Sequence, residues 1–311
     1  MNIYHSIGDF PINKETIITI GTFDGVHKGH QTIINRINKI AKREALESVV
    51  LTFDPHPRHV IYPEDQNLRL IHTIEEKIEA LSSTGLQNLV IHKFTKEFSR
   101  TKSVNFIRDI LVNKLNMKYM VVGFDHHFGK NRQGTFDNLV ELSDLYAFKI
   151  EKVKPQSMGE VTISSTKIRN AILAGDCKRA NSYLASGFSI SGKVVQGNKI
   201  GNSIGFPTAN IEIENSCKIL PKDGVYAVKA FVDNKQYFGM LNIGFRPSIS
   251  DDYFAIEAHL FSFDSSIYDK ELKIEFVERI RDEKEFIDLS ALQSQLKLDE
   301  VKCKQVFNLL R

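Results

Sequence analysis

The sequence predicts an α/β protein in two parts: an N-terminal domain built on a parallel sheet, then a small antiparallel β-barrel with terminal helices. Three observations carry this. Up to about Tyr183, apolar runs of strand length alternate with stretches of helical spacing. Near Ser189 the rhythm changes to short strand-like runs separated by turn residues. Helical spacing then returns only close to the C-terminus, at Leu289, Leu292, Leu296, Val301 and Val306.

The elements follow in order. "TIITIG" reads as a buried strand, and Ile33, Ile34, Ile37, Ile40 and Ala41 then recur at helical spacing. "SVVLTF" is the next strand. "TIEEKIEALSS" is a helix with Thr73 and Glu76 placed as a capping box. "NLVIHKF" is a strand, and "SVNFIRDILVNKL" is a helix with Ile107, Ile110 and Leu111 on one face. "YMVVGF", a helix near Leu139 to Tyr146, the strand "KIEKV" and a helix opening at "SSTKIRNAIL" complete the first part. Alternation of this kind implies right-handed crossovers and a sheet covered on both faces. In the second part, "FSISGKVVQG", "ANIEIE", "GVYAVKAFV", "QYFGMLNIG", "FAIEAHLFSF" and "ELKIEFVERI" read as strands. The third and fourth flank "DNK" and predict a hairpin. The boundary falls between Tyr183 and Ser189, giving domains 1–183 and 187–311.

A chain of 311 residues with 42% hydrophobic and 25% charged residues has room for about two globular domains. The net charge of +3, spread without a basic block, argues against a diffuse nucleic-acid binder. Cys177, Cys217 and Cys303 are far apart and show no zinc or redox spacing. The N-terminal sequence has no signal-peptide pattern, and no run of apolar residues is long enough for a membrane span. The expectation is a cytoplasmic protein with no membrane partner. Nothing in the sequence specifies self-association.

"GTFDGVHKGHQ" lies where a strand hands over to a helix, the place where open parallel sheets bind ligands and helix N-termini attract phosphate. Gly21, Gly25 and Gly29 let the backbone approach a ligand, and His27 and His30 can both face a phosphate at the helix start. The motif is neither a Walker A loop nor a dinucleotide fingerprint, and two histidines capping a turn would read the same way. "ISSTKIR" adds Ser164, Ser165 and Thr166 at a helix start, with Arg169 about one turn on, as a second candidate phosphate clamp or an ordinary cap. In "GKVVQGNKIGNSIGFPTANI", Gly197, Gly201 and Gly205 precede Thr208 and Asn210. Neutral side-chain oxygens after a glycine-rich flap suit a phosphate–magnesium site. A glycine-rich surface hairpin is the equal alternative on physics alone.

Together these stretches resemble the prokaryotic bifunctional riboflavin kinase/FMN adenylyltransferase (FAD synthetase) family. "GTFDGVHKGHQ", "LTFDPHP", "VVGFDHHFGKNRQG" and "ISSTKIR" look like its adenylyltransferase module, a Rossmann-like nucleotidyltransferase domain. "GFPTAN", "GVYAV", "NIGFRPS", "IEAHLFSFD" and "ERIRDEKEF" look like its riboflavin kinase module, in the expected order. The chain departs from the family pattern at His126, Asn131, Ser248 and Asp269.

The resemblance implies ATP-dependent phosphorylation of riboflavin to FMN by the C-terminal domain and adenylylation of FMN to FAD by the N-terminal one. Magnesium or a similar divalent cation would assist, with riboflavin, FMN and ATP as small-molecule partners and no nucleic acid. Glu257 would be the kinase base, with Thr208 and Asn210 as metal ligands. His27, His30 and Arg169 would serve adenylyl transfer. Gly21, Phe23, Asp24, Gly25, Gly29, Ser164, Ser165, Thr166, Gly197, Gly201 and Gly205 would hold nucleotide and phosphate. His56, Asp125, Phe128, Arg132 and Arg281 would bind flavin. A ribityl hydroxyl needs a base, and Glu257 shares a strand face with His259. The rivals are another nucleotidyltransferase, a class I aminoacyl-tRNA synthetase, which would carry a Lys-rich second loop and a tRNA-binding domain not seen here, and a flavin-binding regulator. "DPHPRH" and "DHH" lack the thiolate or helix-spaced His pair of a dedicated zinc site.

Overall fold

The computed structural model describes residues 1–65, 67–124, 135–154, 157–158, 161–197, 200–233, 235–246 and 253–309. The chain forms two compact units, residues 1–165 and 166–311.

In the first unit the elements are β1 (Asn2–Tyr4), β2 (Thr16–Ile20), α1 (Lys28–Glu44), β3 (Glu47–Asp54), α2 (Pro57–Ile61), α3 (Ile74–Ser82), β4 (Asn88–Lys93) and α4 (Lys96–Ser99). There follow α5 (Ser103–Asn105), β5 (Met117–Val122), α6 (Phe136–Tyr146), β6 (Lys149–Lys152), β7 (Ser157–Met158) and β8 (Val161–Thr162). Six strands pair in parallel in the order β1-β4-β3-β2-β5-β6. "TIITI" is apolar throughout because both its faces are covered. Ile18 and Ile20 pack with Val49, Leu51 and Leu111 on one side, and Ile17 packs with Ile34, Ile37 and Ile40 of α1 on the other. Thr73 and Glu76 form the expected reciprocal capping box at the start of α3.

Two features depart from expectation. "TIITI" is the second strand, since Asn2–Tyr4 precedes it at the sheet edge. Three residues with Ile3 largely exposed carry no readable period. The stretch read as one helix continues from α5 as a π-helical segment, Phe106–Val112, with Asn113 N–H bonded to Arg108 O. Ile107 and Leu111 still face the core.

The topology fixes where a ligand can sit. From β2 the chain steps to β3 and β4 on one side, then returns to β5 and β6 on the other. The strand order therefore reverses between β2 and β5. The carboxyl end of β2, from which "GTFDGVHKGH" emerges, borders that switch point.

The second unit holds α7 (Ser165–Leu173, whose first residue closes the first unit), α8 (Cys177–Tyr183), β9 (Ser189–Val195), α9 (Ile200–Ser203), β10 (Ala209–Glu212) and β11 (Gly224–Val232). It continues through β12 (Lys235–Arg246), β13 (Tyr253–Leu260), β14 (Glu271–Arg281) and α10 (Leu289–Val306). Six strands close into a barrel, β10-β13-β12-β11-β14-β9. The predicted hairpin is present, with Val232 opposite Lys235. α10 lies on the outside of the barrel, where Leu296, Cys303, Val306 and Phe307 pack with Phe206, Ala227, Met240 and Phe261.

The expected face of α10 is met in part, since Leu296 and Val306 pack in this cluster. Leu289 and Val301 are exposed, and the buried positions are Asp299 and Cys303. Asp299 is fully buried because its carboxylate accepts from Arg281 Nε and Nη2 at 2.9 and 2.8 Å and from Gln295 Nε2 at 2.8 Å.

Candidate active sites

In the first unit, β2 ends at Ile20 and the chain turns through Gly21–Val26 into α1. Gly25 has φ +86°, in the left-handed region that favours glycine. Asp24 fixes this loop. Its buried carboxylate accepts from Ile71 N at 3.0 and 3.1 Å and from His72 N at 3.0 Å. Its carbonyl accepts from Ser165 Oγ at 2.9 Å, so the serine motif and the glycine motif meet at this residue.

His27 caps α1: its Nδ1 accepts from His30 N at 3.2 Å. A ring nitrogen that accepts carries no proton, so the His27 ring proton sits on Nε2. The His30 ring stacks on His27 at 3.6 Å with 15° between planes, and the Phe23 ring lies 4.9 Å from His30. Burial first, then His27, Lys77 and His72, hold the His30 pKa well below the usual 6.5. His30 is therefore neutral at neutral pH, with one N–H to offer at a helix N-terminus.

The structure thus gathers Phe23, Asp24, Gly25, His27, His30 and Ser165 around the start of α1. His56 follows the carboxyl end of β3 and caps α2, accepting from Arg58 N at 3.2 Å. Thr166 and Arg169 belong to the second unit, on α7. Asp125, Phe128 and Arg132, with the departures His126 and Asn131, lie outside the described residues. Lys77 of α3 was not singled out from sequence. It is only 6% exposed, and its pKa is lowered by burial against the opposing pull of Asp24 and Asp54. Its signal was available: a lysine four residues before the buried Leu81, on the core side of the helix.

In the second unit, register builds the site. Asn210 of β10 lies directly opposite Glu257 of β13, and Glu257 lies directly opposite Asn242 of β12. In-register partners on antiparallel strands share a face, so the three side chains form one row across the barrel. All three are half-buried. Thr208 stands two residues before Asn210 and is half-buried as well. Gly197 lies close to the row: a Cβ on it would come within 2.1 Å of Asn210 Nδ2, so the amide would have to shift. A turn precedes Thr208: Phe206 N bonds to Gly201 O at 2.8 Å and Gly205 has φ +84°.

Asn242 was not among the expected site residues. It donates to Glu283 Oε1 at 3.3 Å, and only the strand register reveals its place beside Glu257. Arg281, expected to bind flavin, has its guanidinium held by Asp299. Among the described residues, no group of three His, Cys, Asp or Glu side chains could hold a metal ion. The neutral oxygens of Thr208 and Asn210 fit a hard cation that draws most of its ligands from phosphates and water.

Comparisons with known proteins agree with this division. A family model described as FAD synthetase matches residues 9–167, and one described as Riboflavin kinase matches residues 184–307. A relative from Buchnera aphidicola subsp. Schizaphis graminum, named "Bifunctional riboflavin kinase/FMN adenylyltransferase", is 35% identical and covers 96% of each chain. Its namesake from Bacillus subtilis is 36% identical over 96% of this chain and 94% of that one. The Escherichia coli K12 protein of that name is 32% identical over 99% and 97%. A solved structure described as a macrolide-efflux protein from Streptococcus pneumoniae superposes with a TM-score of 0.89, at 30% identity, over 97% of this chain and 98% of that one.

Proposed function

Since the chain belongs to the bifunctional riboflavin kinase/FMN adenylyltransferase family, we propose how its residues divide between the two reactions. The C-terminal part phosphorylates riboflavin to FMN with ATP, and the N-terminal part adenylylates FMN to FAD and releases pyrophosphate. We set the functional domains at 1–183 and 187–311, and the two matched ranges support that division.

For the kinase, Glu257 takes the proton of the ribityl hydroxyl as it attacks the γ-phosphate of ATP. Thr208 and Asn210 would hold magnesium or a similar cation, and Gly197, Gly201 and Gly205 shape the backbone beside the phosphates. Bound at either site, the cation supplies neutralisation of phosphate charge. The pairing of Asn210 with Glu257 is the observation that carries this reading, because it sets an oxygen ligand beside the only acid in the row.

For adenylyl transfer the nucleophile is the FMN phosphate, which is already largely ionised at neutral pH. No general base is needed, and the work is positioning and charge stabilisation. His27 and His30 donate to charge that builds on the α-phosphate. Ser164, Ser165, Thr166 and Arg169 hold phosphate oxygens, an assignment that rests on the sequence signature. Asp24 shapes the loop. His56, Asp125, Phe128 and Arg132 remain the flavin-binding residues of this domain, and Arg281 that of the kinase domain, by the family resemblance.

The partners are riboflavin, FMN and ATP, without nucleic acid, and we place the enzyme in the cytoplasm with its ATP supply. No described helix is long and apolar enough to cross a membrane. The efflux activity named for the Streptococcus structure is not carried over, because both family models and the curated relatives agree on two transferases. Incubating the purified chain with riboflavin, ATP and magnesium and separating the flavins tests the reading. FMN appearing first and FAD later is the expected course. Riboflavin bound but never converted would favour a regulator.

A further inference from the structure

The Gly201–Thr208 loop is tied down at two carbonyls. His259 Nδ1 lies 2.8 Å from Pro207 O, and Gln293 Nε2 of α10 donates to Ile204 O at 2.9 Å. A carbonyl can only accept, so His259 carries its proton on Nδ1. The His259 ring also packs edge-on against Phe206 at 5.3 Å, and Phe206 is buried in the cluster under α10. Pro207 has no N–H of its own with which to pin the turn. His259 stands two residues after Glu257 on β13, on the same half-buried face, while Ala258 and Leu260 point inward and are buried. One strand therefore carries both the acid and the anchor of the segment that leads into Thr208 and Asn210.

We infer that His259 is a positioning residue for the kinase, its Nδ1–H holding the Pro207 carbonyl so that Thr208 and Asn210 present their oxygens beside Glu257. Gln293 is the second anchor of the same loop. This rests on the reading of Thr208 and Asn210 as cation ligands. With Pro207 released, the segment before Thr208 gains freedom, and the Thr208 oxygen must be ordered beside Asn210, which β10 already holds between β9 and β13, at the moment the cation and nucleotide bind. The cost falls on cation affinity rather than on proton transfer, since Glu257 sits on a strand paired on both sides.

The test uses the full chain with two substitutions. His259→Phe keeps an aromatic ring against Phe206 and removes the donor. His259→Asn keeps a donor where Nδ1 was. In His259→Phe, without cation or nucleotide, the amides of residues 201–206 and 208 should exchange with solvent about five- to tenfold faster, the worth of one hydrogen bond. The magnesium concentration that half-saturates FMN formation should rise by about the same factor, with kcat at saturating magnesium nearly unchanged. His259→Asn should restore both, and conversion of added FMN to FAD should be untouched in either variant. Gln293→Ala should speed the same amides, and it serves should His259→Phe fold poorly. Wild-type exchange and magnesium dependence in His259→Phe, or a His259→Asn no better than it, would overturn the inference. Thr208→Ala separates the two layers: an unchanged magnesium requirement there removes the ligand assignment and this inference with it.

Discussion

Asn210 and Glu257 face each other directly across two antiparallel strands of the barrel. They are 47 residues apart in sequence, and the pairing makes an amide oxygen and a carboxylate neighbours on one half-buried face. The kinase assignment turns on this juxtaposition, and it separates the two activities experimentally. Glu257→Gln keeps shape and hydrogen bonding but removes the base. FMN formation should fall by at least about a hundredfold, a typical loss for one general base. FAD formation from added FMN should persist. His30→Ala should do the reverse, and chromatography of the flavins reads both. A variant that loses both activities while folded would refute the division.

Gly197→Ala probes the same face without touching a functional group. The new Cβ would stand 2.1 Å from Asn210 Nδ2, so the amide must move. FMN formation should drop about tenfold or more, in line with the cost of misplacing a catalytic constellation. Thermal stability should change by only a few degrees. Steady-state kinetics beside a melting curve would show the split.

Much of this architecture was legible. Continuous apolar runs such as "TIITI" announce strands buried on both faces, and Thr73 with Glu76 announces a helix start, because both signals are local. The glycine–histidine motif was placed correctly at a strand's carboxyl end for the same reason. What stayed hidden depends on long-range partners. Asn242 looks like any strand asparagine until register sets it opposite Glu257. Asp299 reads as a surface charge on a helix, and its burial is decided by Arg281, a residue on another element. Of the apolar residues spaced along α10, Leu296 and Val306 pack on the barrel while Leu289 and Val301 stay exposed. β1 is too short to show a period at all.

His30 makes stability depend on pH. Its folded-state pKa lies well below 6.5, mainly because it is buried. Above that value both folded and unfolded chains hold it neutral. As pH falls through 6.5 the unfolded state takes up a proton that the folded state refuses, so stability declines. His92, lowered by the same cause, adds in the same direction. Between pH 7.5 and 5.5 the His30 contribution should cost at most about 1.4 kcal/mol. His30→Asn should remove that part of the slope. Hydrogen exchange in α1 at the two pH values would measure it, and an identical pH dependence in the variant would sink the account.

Arg281 is where a structural role and a ligand role can be told apart. Its side chain is 11% exposed against an Asp299 that is fully buried. Arg281→Ala would leave that carboxylate in the interior without its cation, at a cost of about 3–5 kcal/mol. Replacing both members, Arg281→Met with Asp299→Leu, removes the buried charge altogether and should recover most of the loss. Urea unfolding of the three proteins tests the arithmetic. The flavin-binding reading then has its own readout in the double variant. If Arg281 also contacts flavin, the variant will be stable yet show a raised KM for riboflavin. If its work is wholly to seat α10 on the barrel, restoring stability will restore FMN formation too.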